Sequence, residues 1–298
     1  MSAVTTLDDS FHPAVSDDPF WTETSWYAFS VPQRRMAGTI YPLFRPNLGV
    51  CSVAVYLWDD RSENPWAVPY GRCLWHVPMP DSDLTDITVA GLSYRCEEPL
   101  KRYRVRYHDP PRLAMDLIYE GLIPPRGSGI GGGSGHIDQP CRVQGLVILH
   151  GERIPVDCLE MRDRSWHVRE DTRTVRASYS YGIASASDSF LAIGMCSGEE
   201  CPIVAGYLMM DGEQAGLVSG RRRVIERCRG WPTRVAVEVT DGLGRQMETQ
   251  GRCLSRLANH ATPGMFAWMS LTEWDFRGGG TYGEDQDIWS PDLLGPTG

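Results

Sequence analysis

The chain has 298 residues, with 38 acidic against 29 basic side chains and a formal net charge of −9. An acidic chain without a long basic block lacks the clustered cations that nucleic-acid phosphates need. At 42% hydrophobic and 22% charged residues it can bury a core and is too apolar for disorder, and no apolar run approaches the ~20 residues that cross a bilayer.

Residues 1–20 (MSAVTTLDDSFHPAVSDDPF) have neither a positive leader nor an apolar stretch, which argues against a secretory signal and for a cytoplasmic protein. Residues 52–58 (SVAVYLW) open a series of strand-like segments. In Tyr103-Arg104-Val105-Arg106-Tyr107, aromatic and aliphatic residues alternate with arginines, as in a half-buried strand with one wet face. Residues 113–119 (LAMDLIY), 142–149 (RVQGLVIL), 190–195 and 235–239 (VAVEV) read as further strands. Turn signals separate them: Asp59-Asp60, Pro110-Pro111, His150-Gly151-Glu152, Asp211-Gly212 and Asp241-Gly242. No window of a dozen residues holds a helical apolar stripe. The prediction is an all-β protein, a barrel or two packed sheets.

Residues 123–135 (IPPRGSGIGGGSG) read as a flexible loop, either a linker or a lid. The tetrapeptide Gly71-Arg72-Cys73-Leu74 recurs as Gly251-Arg252-Cys253-Leu254, a weak trace of an internal repeat. The length suits two small β units, expected at 1–155 and 156–298. Nine cysteines, an odd number, include no C-x-x-C pair, so reduced thiols are expected. The closest two, Cys196 and Cys201, lack a second pair to complete a zinc site.

The glycine stretch is no dinucleotide fingerprint, because Pro140 and a strand follow it where a helix would be needed. The densest polar segment is Met161-Arg162-Asp163-Arg164-Ser165-Trp166-His167-Val168-Arg169-Glu170-Asp171. Many such charge runs are solvated hairpin tips, but a tryptophan in the middle wants burial. Strand alternation would put Asp163, Ser165 and His167 on one face and Arg162, Arg164 and Trp166 on the other. An acid, a hydroxyl and an imidazole facing one cavity make a proton-transfer set, and an apolar cavity would raise the carboxyl's pKa. His136 and Asp138 have the same spacing and form a second candidate. A third, the acids of residues 282–289 (YGEDQDIW), offers oxygens to a cation but lacks an EF-hand spacing, so no metal is expected. Arg221-Arg222-Arg223 reads as a strand segment with one or two exposed members. Residues 260–269 (HATPGMFAWM) could line an apolar pocket or belong to the core.

Residues 161–166 (MRDRSW) resemble the D-H-x-W-G signature of the carotenoid 1,2-hydratase (hydroxyneurosporene synthase) superfamily. HIDQP at 136–140, VSGRR at 218–222, ATPGMF at 261–266 and GEDQD at 283–287 look closer to an uncharacterised bacterial branch of it. The resemblance implies two lipocalin-like β-barrel halves. It also implies a catalyst of the hydratase, cyclase or Diels–Alder type acting on lipophilic natural products. Asp163 matches the motif aspartate and Trp166 its tryptophan, whereas Arg164 stands where the pattern has histidine and His167 where it has glycine.

Together these features lead to an expected hydratase or dehydratase without cofactor, acting on a terpenoid- or polyketide-like substrate. Asp163 is the expected proton donor, with His136 and His167 as acid/base or water-positioning partners. Trp166, Arg164, Asp138, Tyr179, Tyr181, Trp268 and Tyr282 are the expected substrate contacts. The competing expectations are a cyclase, Diels–Alder-type or isomerase catalyst on a natural-product intermediate and a non-catalytic carrier of lipophilic ligands. The expected partner is a small lipophilic molecule, which leaves room for peripheral membrane contact. Of the 29 basic residues only Lys101 is a lysine. Arginines can lie flat on aromatic rings and fork onto carboxylates, so some are expected to brace the barrel walls, and the ten tryptophans to line a pocket.

Overall fold

The computed structural model describes residues 4–170, 175–197, 199–262 and 264–294; Asp171, which ends the segment 161–171, and Pro263, inside 260–269, lie outside them. The described chain is nearly all strand and falls into two compact units. The first comprises residues up to Val31, Ala37–Leu57 and Pro69–Glu170; the second comprises Pro32–Met36, Trp58–Val68 and the described residues from 175 onward.

In the first unit the chain forms β1 (Trp21–Val31), β2 (Met36–Arg45), β3 (Val50–Trp58) and β4 (Tyr70–Pro78). Next come β5 (Asp86–Val89), β6 (Leu92–Glu98), β7 (Arg102–Asp109) and β8 (Leu113–Gly121). A short β9 (Arg126–Gly131) leads into the long hairpin β10 (Ser134–Leu149) and β11 (Glu152–Val168). The order across the eleven-stranded sheet is β4-β3-β2-β1-β11-β10-β8-β7-β6-β5, with β9 on β10. The alternation read at 103–107 holds: Tyr103, Val105 and Tyr107 are buried while the arginines between them are wetter. β1 and β2 are instead buried on both faces.

A tyrosine cluster (Tyr27, Tyr94, Tyr103, Tyr119) fills the core of this unit. An N-terminal 3-10 turn, Thr6–Asp9, drops the buried Asp9 carboxylate onto it, where Tyr103 donates to Asp9 and Arg162 lies 3.8 Å over the Tyr103 ring.

The second unit is a closed barrel of β12 (Arg176–Ile183), β13 (Ser189–Met195), β14 (Glu200–Met210), β15 (Glu213–Cys228), β16 (Trp231–Asp241), β17 (Gln246–Thr262), β18 (Met265–Trp274) and β19 (Thr281–Trp289). Closure comes from β19 pairing with β12. Phe190, Leu208, Val235, Val237 and Trp274 form its apolar core. On β12, β15 and β19 the barrel also buries polar side chains: Ser178, Ser180, Arg222, Asp285 and Asp287.

Three expectations change here. Residue 155, the expected boundary, falls inside β11, and the first unit continues to Glu170. The stretch at 123–135 is no loop but largely the β9–β10 hairpin, whose turn residues Gly132 and Gly133 both have positive φ. Such a two-residue turn suits the twist of its strands and favours glycine at both positions. Not all the cysteines are free thiols, for Cys196 and Cys201 are joined where β13 passes into β14. Of the tryptophans, Trp21, Trp26, Trp58, Trp166, Trp231 and Trp274 are buried, whereas Trp66 and Trp75 are exposed.

Candidate active site

In antiparallel pairs, directly opposed residues share a sheet face. Asp138 on β10 is opposite Asp163 on β11, and His136 is opposite Ser165. On the other flank of β11, β1 sets Trp26 opposite Asp163, Thr24 opposite Ser165 and Thr22 opposite His167. Three strands therefore gather His136, Asp138, Trp26, Thr24, Asp163, Ser165 and His167 on one face.

Within this group the ligand atoms of His136, Asp138 and Asp163 lie within 4.8 Å of one another. The spacing is one that three ligands of a cation could adopt, yet His136 Nε2 and Asp138 Oδ1 are a hydrogen-bonded pair at 2.8 Å. Burial disfavours the imidazolium of His136, but Asp138 and then Asp163 outweigh it and raise its pKa to about 9. Burial also raises the Asp163 carboxyl, from 3.8 to about 6, against the pull of the imidazolium beside it. Near neutrality the pair therefore holds an imidazolium and a mostly ionised carboxylate. The His136 side chain is 28% exposed, so it is open to a reactant.

A second pole lies on the same face. His167 directs Nδ1 at the Val168 carbonyl, 2.8 Å away; with the proton on Nδ1, Nε2 is left as an acceptor. Arg169, anchored by its backbone N–H to Phe20 O, donates from Nη1 to Tyr41 Oη (2.9 Å) and from Nη2 to Ser165 Oγ (3.0 Å). Nη2 also lies 3.4 Å from His167 Nε2. Thr24 and Ser165 share a hydrogen bond of 2.8 Å, and the Trp26 ring packs edge-on to Tyr41 at 5.2 Å.

The structure thus brings together Asp163, His136 and Asp138, and sets His167 beside Arg169. Arg164 and Trp166 lie on the opposite face of β11, as alternation requires. Arg164 is engaged by Asp8 O, Ser10 O and the Glu23 carboxylate. Trp166 stacks on His12 at 3.9 Å. Both were expected beside the substrate; they lie on the face of β11 away from the Asp163 cluster. Tyr179, Tyr181, Trp268 and Tyr282 belong to the second unit. There Tyr179 meets Tyr181, Trp268 packs against Trp231, and Tyr282 donates to Glu273. Residues missed by the sequence reading are Arg169, Tyr41, Thr24 and Trp26. Arg169 had a signal, as the next residue in the 163, 165, 167 series; the others had none.

Residues 5–284 match the model of a family described as a domain of unknown function (DUF7064), and the chain belongs to that family. No curated protein matches the sequence. Solved structures share the fold. One described as AttH, from Nitrosomonas europaea, has 16% identity and a TM-score of 0.60, covering 90% of this chain and 91% of that one. Kievitone hydratase from Nectria haematococca has 12% identity and a TM-score of 0.60, covering 91% and 89%. CghA has 11% identity and a TM-score of 0.61, covering 91% and 88%.

Proposed function

We propose that this member of the family is a hydro-lyase that adds water to, or removes it from, a lipophilic natural-product-like substrate by proton transfer alone. The observation that carries this reading is the His136–Asp138–Asp163 cluster. It sets a proton donor and a proton acceptor within reach of each other on one face, beside Trp26. General acid–base catalysis needs such a pair with pKa values on either side of the working pH. In this reading the roles differ from the expectation that Asp163 donates. Two carboxylates flank the imidazole, so His136 holds the proton and Asp163 receives one. The likeness to kievitone hydratase supports the reaction class.

The test is incubation of the full chain with terpenoid alcohols, alkenes and polyketide-like trienes, followed by mass spectrometry. Gain or loss of one water supports the proposal. Products of unchanged mass indicate a cyclase or isomerase. Tight binding with no product indicates a carrier; either result overturns the hydro-lyase reading.

A further inference from the structure

Charge pairing separates Arg169 from the other arginines near the centre of its unit. Arg162 lies 3.5 Å from Asp9, and Arg164 is paired with Glu23. The side-chain partners of Arg169 among the described residues are the Tyr41 phenol, the Ser165 hydroxyl and a His167 ring nitrogen. Among the described residues no carboxylate lies in ion-pair range of it. A half-buried guanidinium whose hydrogen bonds reach no carboxylate keeps its positive pole available to an anionic oxygen. Its fork is nevertheless fixed in direction, through Tyr41 on β2, Ser165 on β11 and its own backbone. Arg169 also acts electrostatically on both His136 and Asp163, so the cation and the proton-transfer pair are near one another.

We propose that Arg169 and Tyr41 form an anchor for a substrate oxygen that develops negative charge, so that the alkene hydrated or formed here is conjugated to a carbonyl group. The inference rests on the hydro-lyase reading above and narrows its substrate class to β-hydroxy carbonyl compounds and their α,β-unsaturated counterparts. Asp163 takes the proton from the α-carbon as that C–H bond breaks, and the electron pair moves onto the carbonyl oxygen, giving an enolate held by Arg169 and Tyr41. The enolate then collapses, the C=C bond forms, and the β C–O bond breaks. The departing hydroxyl takes the proton of His136 and leaves as water. Transfer of the new proton from Asp163 to His136 resets the pair; hydration follows the same steps in reverse. The arrangement supplies a preorganised positive pole where charge develops, which water addition to an isolated alkene would not use.

Two measurements on the full chain test this. Dimedone, a cyclic β-diketone that is an enolate anion at neutral pH, is titrated by calorimetry beside the corresponding neutral monoketone and octanoate. The diketone should bind most tightly. Arg169→Gln should weaken it by about tenfold or more, the usual cost of losing a charged hydrogen bond, and Tyr41→Phe by a smaller factor. Thermal unfolding identifies a variant that fails to fold; if Arg169→Gln fails, Tyr41→Phe decides. Equal affinity for diketone and monoketone, or tighter binding of octanoate, overturns the anchor.

The second measurement compares a β-hydroxy ketone with the matching tertiary alcohol that lacks the carbonyl, in deuterated water. The ketone should lose water and exchange its α-proton, and the alcohol should stay intact. Dehydration of both at similar rates, unaffected by Arg169→Gln, overturns the anchor while the hydro-lyase reading stands. Dimedone binding that depends on Arg169, with α-exchange but no loss of water, supports the anchor while the hydro-lyase reading fails.

Discussion

Each unit buries a cluster of unlike charges, and the two clusters behave oppositely. In the barrel, burial pushes the Asp287 carboxyl up, but Arg222, Arg176 and Arg227 together hold it below the ordinary carboxylate value. Asp285 is bonded through both oxygens to the Arg222 guanidinium and also accepts from Ser180. Arg176 lies 3.7 Å over the Trp289 ring. Three guanidiniums converge on Asp287, and the charges are fixed. In the first unit, burial dominates at Asp163, which faces one imidazole and a second carboxylate while Arg169 and Arg162 act on it more weakly, and its pKa moves up, to about 6. The difference teaches that burial alone does not prepare a carboxyl for proton transfer. What matters is whether a guanidinium, which never releases its proton, or an imidazole, which does, stands opposite it.

The sharpest way to break that contrast is Asp163→Asn. If Asp163 is the proton acceptor, turnover should fall by roughly 10²–10⁴-fold while ligand affinity changes little. The pH profile of turnover in the parent should rise through about 6 as Asp163 ionises and fall through about 9 as His136 loses its proton. Stability should show the same groups with the sign fixed by linkage. The Asp163 pKa is raised on folding, so its contribution is present below the ordinary 3.8 and is lost as pH rises through about 6. The Asn variant should lack that decline, as urea unfolding across this pH range would show. His136 contributes in the same sense, with its stabilisation lost as pH rises from 6.5 through about 9.

In the barrel the large effect should fall on stability. Arg222 and Asp285 are both completely buried, and removing one member of such a pair leaves an uncompensated charge at a cost of about 3–5 kcal/mol. Arg222→Met should therefore lower the urea midpoint steeply, and the double substitution with Asp285→Leu should recover much of the loss. If the single variant is as stable as the parent, the barrel charges are not the fixed structural set described here.

How much of this was legible in the sequence follows from the range of each signal. Strand periodicity is local, so 52–58, 103–107, 113–119, 142–149, 190–195 and 235–239 all lie within strands. The same arithmetic puts Asp163, Ser165 and His167 on one face, and carried one step further it reaches Arg169. The pairing of β1 with β11, which delivers Trp26 and Thr24, joins segments far apart in the chain, and no local pattern encodes it. The glycine run read as a loop because glycine is poor in strands. Here Gly135 sits where a Cβ would fall 2.4 Å from the Trp166 ring, so the strand needs a residue without one. The sequence assigned Asp285 and Asp287 no partner, because their arginines lie on β12 and β15, distant in sequence. Cys196 and Cys201 match no spacing motif; the β13–β14 connection brings them together.

The smallest expected effect supplies the baseline for both clusters. Arg142 and Asp157 pair on β10 and β11, the strands that carry the acid–base face, with their side chains 50% and 58% exposed. Water solvates both partners before and after folding, and dissolved salt screens the pair. Charge-for-charge the contact resembles Arg222–Asp285, with two nitrogens of the guanidinium meeting the carboxylate; what it lacks is desolvation. Arg142→Gln should leave turnover unchanged and shift the unfolding midpoint little, with the shift vanishing at high salt. If it instead destabilises the chain as Arg222→Met does, then ion pairing as such stabilises these sheets, and burial is not what separates the barrel network from the surface.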